Sequence, residues 1–370
     1  DNKKSYHGKS VLKAVDNVNT IIFDTLSGYD VLEQEEIDET LLELDGTPNK
    51  KRLGANAILS VSLACADAAS KYLGIPLYKY LGGSKAFRMP TPMLNIINGG
   101  AHANNNLSFQ EFMIIPIKCK TFTESIRKAS EVFHSLKSIL EKKNISTAVG
   151  DEGGFAPNLK NEDQACALIR DAINKAGYKL GNDFYLSLDI AASEFYKNKK
   201  YRLSSEKKSF SSDQFSNYLI SLCKKYSIIS LEDPFAEDDW KAWQKFNAKY
   251  GADVQIVGDD IFTTNIKLIS KGIRMKVANS VLIKVNQIGT LTETMKAIEL
   301  AQMNGLEVVI SHRSGETENT FISDLSVATN SGQIKTGSMS RSDRVSKYNQ
   351  LIRIEEMLAS DKSLKINKFY

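Results

Sequence analysis

The sequence predicts an α/β protein whose main part is a (β/α)8 barrel, preceded by a smaller and mostly helical region. Six apolar runs of the C-terminal half each end in a polar residue, namely Asp189, Glu232, Asp259, Lys284, His312 and Lys335. Successive run ends are 23 to 43 residues apart, the length of one loop, one helix and one return strand, which indicates parallel strands closing into a barrel. The chain has 370 residues, and such a barrel takes roughly 250, so a second region is expected.

The region before the barrel is predicted to be helical and to occupy residues 1–84. Its predicted elements are a helix containing Val11, Val15, Val18 and Ile22, and a second, small-residue helix over 54–73. We find no convincing run of strands there. From Met89 onward, strand-like and helix-like segments alternate, so we place the domain boundary at Gly82-Gly83-Ser84 and assign 85–370 to the barrel.

Two glycine-bearing loops precede the repeating units. Residues 98–102 read Asn-Gly-Gly-Ala-His and are followed by Gln110 and Glu111, which open the apolar run FMIIP. Residues 150–154 read Gly-Asp-Glu-Gly-Gly, with Glu152 at the centre. Neither loop is followed by the Gly-Lys-Ser/Thr of a phosphate loop. Each alone would be interpreted as a turn, so their significance depends on the residues that join them.

Composition predicts a globular protein that binds no nucleic acid and does not span a membrane. The net charge of +4 is small and dispersed, and the basic stretches Lys197–Lys200 and Lys207–Lys208 are predicted to be solvated loops or helix faces. Four widely spaced cysteines form no metal or disulfide pattern, which favours reduced thiols in the cytosol. The most apolar stretch contains polar residues typical of a buried helix, and residues 1–10 lack the apolar core of a secretory signal. We therefore expect a cytoplasmic protein.

The strand ends themselves predict a metal site. The C-terminal ends of barrel strands converge on one face, so Asp189, Glu232 and Asp259 are expected to lie close together. Carboxylate oxygens of this kind suit Mg²⁺. For a single carboxylate we would favour the alternative, that it caps the following helix. For three on successive strands, metal binding is the favoured interpretation.

The basic residues on the later strand ends predict proton transfer and binding of an anion. Lys284 lies within the apolar run VLIKVN, where burial, together with a nearby Lys335, is expected to lower its pKa and create an amine base. A lysine whose ammonium reaches solvent at the barrel rim is the alternative. The segment Ser311–Ser314, which includes Arg313, follows a strand and supplies donors for a phosphate. A serine hydrolase is disfavoured because the chain contains no Gly-x-Ser-x-Gly motif.

At this point the chain resembles the enolases along nearly its whole length. The segments that carry the resemblance, in family order, are NGGAHANN, FQEFMI, GDEGGFAP, SLEDPFAEDDW, VGDDIFTTN, LIKVNQIGT, SHRSGETE and GQIKTG. The resemblance implies an enolase-type barrel with a helical remnant of the α+β N-terminal domain. It also implies a lyase that catalyses the reversible, Mg²⁺-dependent dehydration of 2-phospho-D-glycerate to phosphoenolpyruvate in glycolysis and gluconeogenesis, with two Mg²⁺ per active site, and assembly as a homodimer.

The resemblance also assigns roles to residues. It implies metal ligands at Asp189, Glu232 and Asp259. Lys284 matches the base that removes the C2 proton, and Glu152, assisted by Glu111, matches the acid that protonates the departing C3 hydroxyl. The implied substrate contacts, among which His312 also counts as catalytic, are His102, Gln110, Glu111, Ser311, His312, Arg313, Ser314 and Lys335. Of these, Lys335 is expected to bind the substrate carboxylate, and Arg313 with Ser314 the phosphate.

One expected feature is missing from the resemblance. Enolases begin with a segment that carries the strands of the small domain and a mobile Ser-Gly-Ala-Ser-Thr loop, and Asp1 aligns after it. We therefore expect an N-terminally incomplete enolase whose helices near 11–23 and 54–73 expose apolar faces, with impaired binding of the second Mg²⁺ and impaired turnover. The alternatives are a catalytically silent binding or structural protein with the enolase fold, and a related enzyme acting on a sugar acid.

Overall fold

The computed structural model describes residues 6–360. The described residues before the barrel are mostly helical. Its helices are α1 (Leu12–Asn17), which continues through the π-helical turn Val18–Ile22 into α2 (Phe23–Leu26), then α3 (Gln34–Asp45), α4 (Ala55–Tyr72) and α5 (Leu77–Gly82). Helix α3 ends where Gly46 takes a left-handed conformation with φ of 66°, which costs a glycine little. The predicted helix over 54–73 is thus present as α4.

Eleven strands form a closed barrel and a small separate sheet within the described residues. In chain order they are β1 (Thr91–Asn98), β2 (Glu111–Pro116), β3 (Phe184–Asp189), β4 (Tyr196–Lys197), β5 (Lys200–Leu203), β6 (Lys208–Phe210), β7 (Ile228–Glu232), β8 (Gln255–Gly258), β9 (Ser280–Ile283), β10 (Glu307–Ser311) and β11 (Gly332–Lys335). The order around the barrel is β1-β11-β10-β9-β8-β7-β3-β2, and the remaining three strands form the small sheet. The predicted α/β barrel is therefore confirmed.

One strand of the barrel runs in the direction opposite to the others. Strand β2 runs antiparallel to both of its neighbours, β1 and β3, whereas the other barrel pairs are parallel. The reason is the connection: no crossover helix follows β1, so the chain returns beside it in the opposite direction. The six apolar runs that predict parallel strands do form parallel strands, and β2 lies outside those runs.

Nine helices follow β2 in the described chain and cover the barrel. They are α6 (Phe122–Lys142), α7 (Glu162–Lys175), α8 (Ser212–Tyr226), α9 (Trp240–Tyr250), α10 (Ile266–Met275), α11 (Val285–Ile288), α12 (Leu291–Met303), α13 (Phe321–Ala328) and α14 (Ser342–Ser360). Several begin at a residue whose side chain accepts a hydrogen bond from the first turn, such as Thr121, Ser211 and Thr290. No single helix within residues 6–360 has the length and apolarity to span a membrane; only α4 taken with 77–85 meets both criteria, across a bend of 98°.

The barrel core has two layers because successive side chains of a strand point to opposite faces. The inner layer fills the barrel and consists of Met93, Met113, Ile115, Val257, Leu282 and Val309, with partly buried Ile117 and Ile229 against it. Neighbouring residues such as Val308 and Ile310 point outward and join the larger cluster under the helices. A polar residue placed an even number of positions from an inner-layer residue therefore faces the barrel axis.

The helical part packs onto the barrel through the start of α12. Its own small core contains Ile22, Ile37, Leu41, Leu53, Ala57 and Ile58. At the contact, Ser62 Oγ accepts a hydrogen bond from Leu291 N at 2.9 Å, and Asp38 Oδ2 accepts one from Thr292 N at 2.8 Å. These side chains satisfy two of the N–H groups that a helix start leaves without intrahelical partners. The start of α12 is thus capped from another part of the chain.

Exposed apolar side chains occur where the first helices were expected to show them. The large ones on α1, α2 and the turn between them are Leu12, Val15, Ile21 and Phe23, and Val11 precedes them. Helix α4 differs from the expectation, because Tyr72 at its end is its only large apolar residue that is exposed. The apolar face of α4 is therefore largely covered by α3 and by α5 in the structure.

The basic stretches near residue 200 lie on the small antiparallel sheet rather than on loops or helices alone. Strands β4 and β5 pair Lys197 with Lys200 across a turn, and Lys208 begins β6. All three lysines are solvent-exposed, as predicted, but the sheet itself was not. On the inward side of this sheet, the ring of Tyr201 stacks on the ring of Phe215, with 4.7 Å between the ring centroids.

Candidate active site

Strand register brings the polar strand ends together at one mouth of the barrel. Glu111 on β2 lies opposite Asp189 on β3, and Asp189 lies opposite Glu232 on β7. Across the barrel, Ser311 on β10 lies opposite Lys335 on β11. Glu111 is two positions from Met113 of the inner layer, so alternation directs it toward the barrel axis. Register and alternation together assemble this part of the site.

Other predicted residues lie directly after strands or in the loops above them. Asp259 follows β8, Lys284 follows β9 and His312 follows β10, each by one residue. Together they border a cavity of about 160 Å³. Every residue predicted for the site lines this cavity except Glu232, which is 1% exposed and lies beneath it in contact with Lys335. The prediction that residues far apart in sequence would converge is therefore met in the structure.

Lys335 is the central cation of the site. Its Nζ lies 3.0 Å from Glu111 Oε1, 3.0 Å from Asp189 Oδ2 and 2.8 Å from Glu232 Oε2, and all four residues are buried. Burial alone would lower the pKa of Lys335, but the attraction of Asp189 and the other carboxylates outweighs it and raises that pKa well above its usual range. Lys335 is therefore a fixed positive charge in the barrel mouth.

Lys284 forms an ion pair with Asp259, and this reverses one prediction. We expected burial and Lys335 to lower the pKa of Lys284. Burial does act in that direction, yet the adjacent Asp259 and Glu232 carboxylates raise the pKa above its ordinary value. The prediction was wrong because it included the effects of burial and of Lys335 on the pKa and left out the attraction of the neighbouring Asp259 carboxylate. Lys284 in this arrangement is an ammonium held by Asp259.

A second group of titratable residues lies on the other side of Lys335. His102 Nδ1 lies 3.6 Å from Glu111 Oε1 and 3.4 Å from Glu152 Oε2, and His312 Nε2 lies 3.2 Å from Glu152 Oε1. Burial and the neighbouring Glu152 raise the pKa of Glu111 well above its usual range. Burial also acts to raise the pKa of Glu152, but His312 and His102 outweigh it and lower that pKa. Burial lowers the pKa of His312 to about 4, so His312 is neutral near pH 7.

Two family models match the chain over almost its full length. The model of the enolase N-terminal domain matches residues 1–81, and the model of the enolase C-terminal TIM barrel domain matches residues 86–369. The chain belongs to the enolase family. The predicted resemblance is thus confirmed, and the two domains support an enolase-type function and indicate a lyase. The predicted domain boundary at residue 84 stays a prediction.

The donor set of this enolase-family site fits a divalent metal ion. Six buried carboxylates surround the mouth, Glu111, Glu152, Asp189, Glu232, Asp233 and Asp259, against two ammonium groups, that of buried Lys335 and that of partly buried Lys284. This excess of negative charge in a region of low dielectric requires protonation or a further cation. Oxygen donors are those that Mg²⁺ prefers. In the described chain, two groups of three residues have ligand atoms that all lie within 4.8 Å of one another: Asp233 with Asp259 and Asp260, and His102 with Glu111 and Glu152.

Sequence reasoning missed two carboxylates next to Asp259, those of Asp233 and Asp260. Asp233 Oδ1 accepts a hydrogen bond from Asp259 N at 2.9 Å, and its Oδ2 accepts one from Asp260 N at 2.9 Å. Asp233 thereby orients the main chain that carries Asp259. A signal was present, because Asp233 directly follows Glu232 and Asp260 directly follows Asp259. A pattern defined by the last residue of each apolar run does not include these second acidic residues.

Sequence reasoning also missed two residues that contact Glu152 or the loop carrying His312. Asn95, buried on β1, donates from Nδ2 to Glu152 Oε2 at 2.9 Å. Arg344, on α14, contacts the loop that carries His312. Neither position has a sequence signal of its own, since Asn95 lies inside an apolar run and Arg344 lies among ordinary helix residues.

Proposed function

We propose that this chain catalyses the reversible, Mg²⁺-dependent dehydration of 2-phospho-D-glycerate to phosphoenolpyruvate, as a phosphopyruvate hydratase. One observation carries the proposal. A single cavity has a lysine beside carboxylate ligands on one side, Lys284 with Asp259, and a carboxyl pair on the other, Glu111 with Glu152. Removal of a proton and loss of a hydroxyl from adjacent carbons need a base and an acid in this kind of arrangement.

Binding of the substrate requires cations for two anionic groups. Lys335 is buried at the base of the cavity, where it suits the substrate carboxylate. Arg313 and Ser314 are exposed at the mouth, where they suit the phosphate. The metal would be held by Asp189, Glu232 and Asp259. When bound, Mg²⁺ supplies positive charge that stabilises the negative charge developing on the substrate carboxylate as the C2 proton leaves.

Proton removal is assigned to Lys284. Its Nζ can accept the C2 proton only as a free amine, which requires Asp259 to be engaged by another partner. Asp259 is one of the proposed metal ligands. The carboxylate that pairs with the Lys284 ammonium in the structure is therefore the one that metal binding would occupy. The proton taken by Lys284 leaves the electron pair on the substrate, from which the C3 hydroxyl is then expelled.

Departure of the hydroxyl is assigned to the Glu111–Glu152 pair. The two carboxyl groups are close, and their environments push their pKa values in opposite directions, so one proton can be held between them. That proton passes to the C3 oxygen, which leaves as water. His102 and neutral His312 lie against this pair and orient it.

The cellular context forms part of the same proposal. We propose that the protein acts in glycolysis and gluconeogenesis in the cytoplasm and that it assembles as a homodimer. Membership of the enolase family supports both statements.

The proposal is tested by following phosphoenolpyruvate absorbance after addition of 2-phosphoglycerate to the purified chain. Absorbance is expected to rise with Mg²⁺ and to stop on addition of a chelator. The variant Asp259→Asn is expected to lose Mg²⁺ binding in calorimetry, together with the activity. Asp253→Asn is a suitable control, since Asp253 is exposed and lies on the loop before the same strand.

Two results would overturn the proposal. The first is absence of Mg²⁺ binding to the unmodified chain with no effect of Asp259→Asn, which is the behaviour of a silent protein with the same fold. The second is Mg²⁺ binding with proton exchange on a sugar acid and none on 2-phosphoglycerate, which is the behaviour of a related enzyme.

A further inference from the structure

Arg344 is a fully buried cation on a helix outside the barrel, and its guanidinium contacts the two chain segments that carry Glu152 and His312. It lies in the first turn of α14 and has no exposed surface. Its Nη1 contacts His312 Nδ1 and donates to Arg313 O at 2.7 Å. Its Nη2 donates to Ser314 O at 2.7 Å and to Asp151 O at 3.2 Å. One side chain thus contacts both the 312–314 loop and the loop that carries Glu152.

The contact with Arg344 determines which nitrogen of His312 carries the proton. A guanidinium has only donors, so the Nδ1 atom beside it must accept and cannot carry hydrogen. A neutral imidazole that accepts at Nδ1 carries its proton on Nε2. That nitrogen faces Glu152, whose Oε1 lies 3.2 Å away, and within residues 6–360 it makes no fully aligned hydrogen bond. The Nε2–H group is therefore directed at the Glu152 carboxylate.

Arg344 also sets the direction of the main chain in the 312–314 loop. The carbonyls of Arg313 and Ser314 both point to its guanidinium. In a planar trans peptide the N–H points opposite to the C=O, so the N–H groups of Ser314 and Gly315 point away from Arg344. Without this contact the two carbonyls would be free to turn, and the donors of the loop would lose their orientation.

We propose that Arg344 is a positioning residue of this site, which fixes His312 as the Nε2–H tautomer and orients the 312–314 loop and the loop carrying Glu152. The role in turnover rests on the proposed function, whereas the tautomer and the loop orientation do not. Neighbouring Lys347 provides a comparison. It is equally buried on α14 and donates to Thr317 O and Asp343 O, but it does not contact His312.

The first test is ¹⁵N NMR of the histidine side chains in the whole protein. The chain has four histidines, and the signals of His312 are identified by their loss in His312→Gln. We expect a neutral ring with hydrogen on Nε2 and an unprotonated Nδ1. A ring with hydrogen on Nδ1, or an even mixture of tautomers, would overturn the proposal without any variant of Arg344 and whether or not the chain dehydrates 2-phosphoglycerate.

The second test compares Arg344→Met with Lys347→Met, each checked for folding by circular dichroism. Arg344→Met is expected to populate the Nδ1–H tautomer of His312. It is also expected to lower kcat by roughly 10- to 100-fold, the range typical of residues that hydrogen-bond to a functional side chain and fix its orientation. Its Mg²⁺ affinity is expected to stay near that of the unmodified chain. Lys347→Met is expected to keep the Nε2–H tautomer. If both variants retain that tautomer, Arg344 does not fix it; if the tautomer changes and kcat does not, the role in turnover is refuted while the proposed function stands.

Discussion

Replacement of Lys335 by methionine is expected to destabilise the barrel strongly. Lys335 Nζ lies 2.8–3.0 Å from three buried carboxylates. An ion pair at 3 Å is worth about 5.5 kcal/mol at an effective dielectric constant of about 20, so three give about 17 kcal/mol before desolvation. Desolvation of each buried ion costs several kcal/mol and offsets much of this gain. Because the substitution leaves the carboxylates behind, we expect a loss of about 3–5 kcal/mol at pH 7.

The pH dependence of this loss has a defined sign. Lys335 has a raised pKa in the folded state, so its contribution is fully present below its unfolded value of 10.5 and is lost only as pH rises through the raised folded value. The charge of Lys335 should therefore stay constant from pH 7 to 9. The stability difference between the two proteins should shrink as pH falls, because Glu111 and Glu232, whose pKa values are raised, take up protons in the variant and cease to repel.

Urea unfolding in the presence of a chelator measures this difference. The two tryptophans of the chain, Trp240 and Trp243, both lie on α9, so their fluorescence reports unfolding of the barrel. Lys71→Met is the control, since Lys71 pairs with Asp67 at the surface, with both side chains exposed, and should change stability by about 0–1 kcal/mol. A Lys335→Met variant within about 1 kcal/mol of the unmodified chain at pH 7 would refute the reasoning, since that is the range of an exposed pair.

Three further predictions concern the carboxylates. Glu152→Gln should slow hydroxide loss more than exchange of the C2 proton, followed by mass spectrometry in D₂O; equal slowing of both steps would contradict a separate acid. Asp233→Ala should weaken Mg²⁺ binding by roughly 10- to 100-fold in calorimetry, because the main chain of Asp259 loses its anchor; an effect no larger than that of exposed Asp238→Ala would exclude this role. Burial raises the pKa of Asp324 from 3.8 to about 6, so the folded protein binds this proton more tightly than the unfolded chain and loses stability as pH rises between these two values. Asp324→Asn should therefore stabilise the protein by up to about 3 kcal/mol at pH 8 and by little near pH 4, and a gain independent of pH would rule this out.

The barrel and most of its site could be predicted because their determinants are local. An apolar run that ends in a polar residue, repeated at the spacing of a strand and helix, predicts both the strands and the place where their ends converge. Asp189, Glu232, Asp259, Lys284, His312 and Lys335 were all found in this way. Strand β2 shows the limit of the argument. Its direction depends on the connection from β1, and the glycine-bearing loop there has no pattern that distinguishes a return from a crossover.

Properties that depend on contacts between distant segments could not be predicted. The raised pKa of Lys284 comes from Asp259, a residue on another strand, and the sequence gives no distance between them. Arg344 contacts His312 from a helix 32 residues further along the chain. The small sheet of β4–β6 was missed for a different reason. Its strands have two to four residues and are rich in lysine, so the alternation that marks a strand is too short to detect.

Exchange of the C2 proton of 2-phosphoglycerate in D₂O tests the central claim most directly, because it needs the base and the metal ligands and no departure of hydroxide. The unmodified chain with Mg²⁺ is expected to incorporate deuterium at C2. Lys284→Ala should reduce that rate by about 10²–10⁴-fold with Mg²⁺ affinity largely retained, and exposed Lys267→Ala should leave it unchanged. Exchange at the normal rate in Lys284→Ala would contradict the assignment of the base.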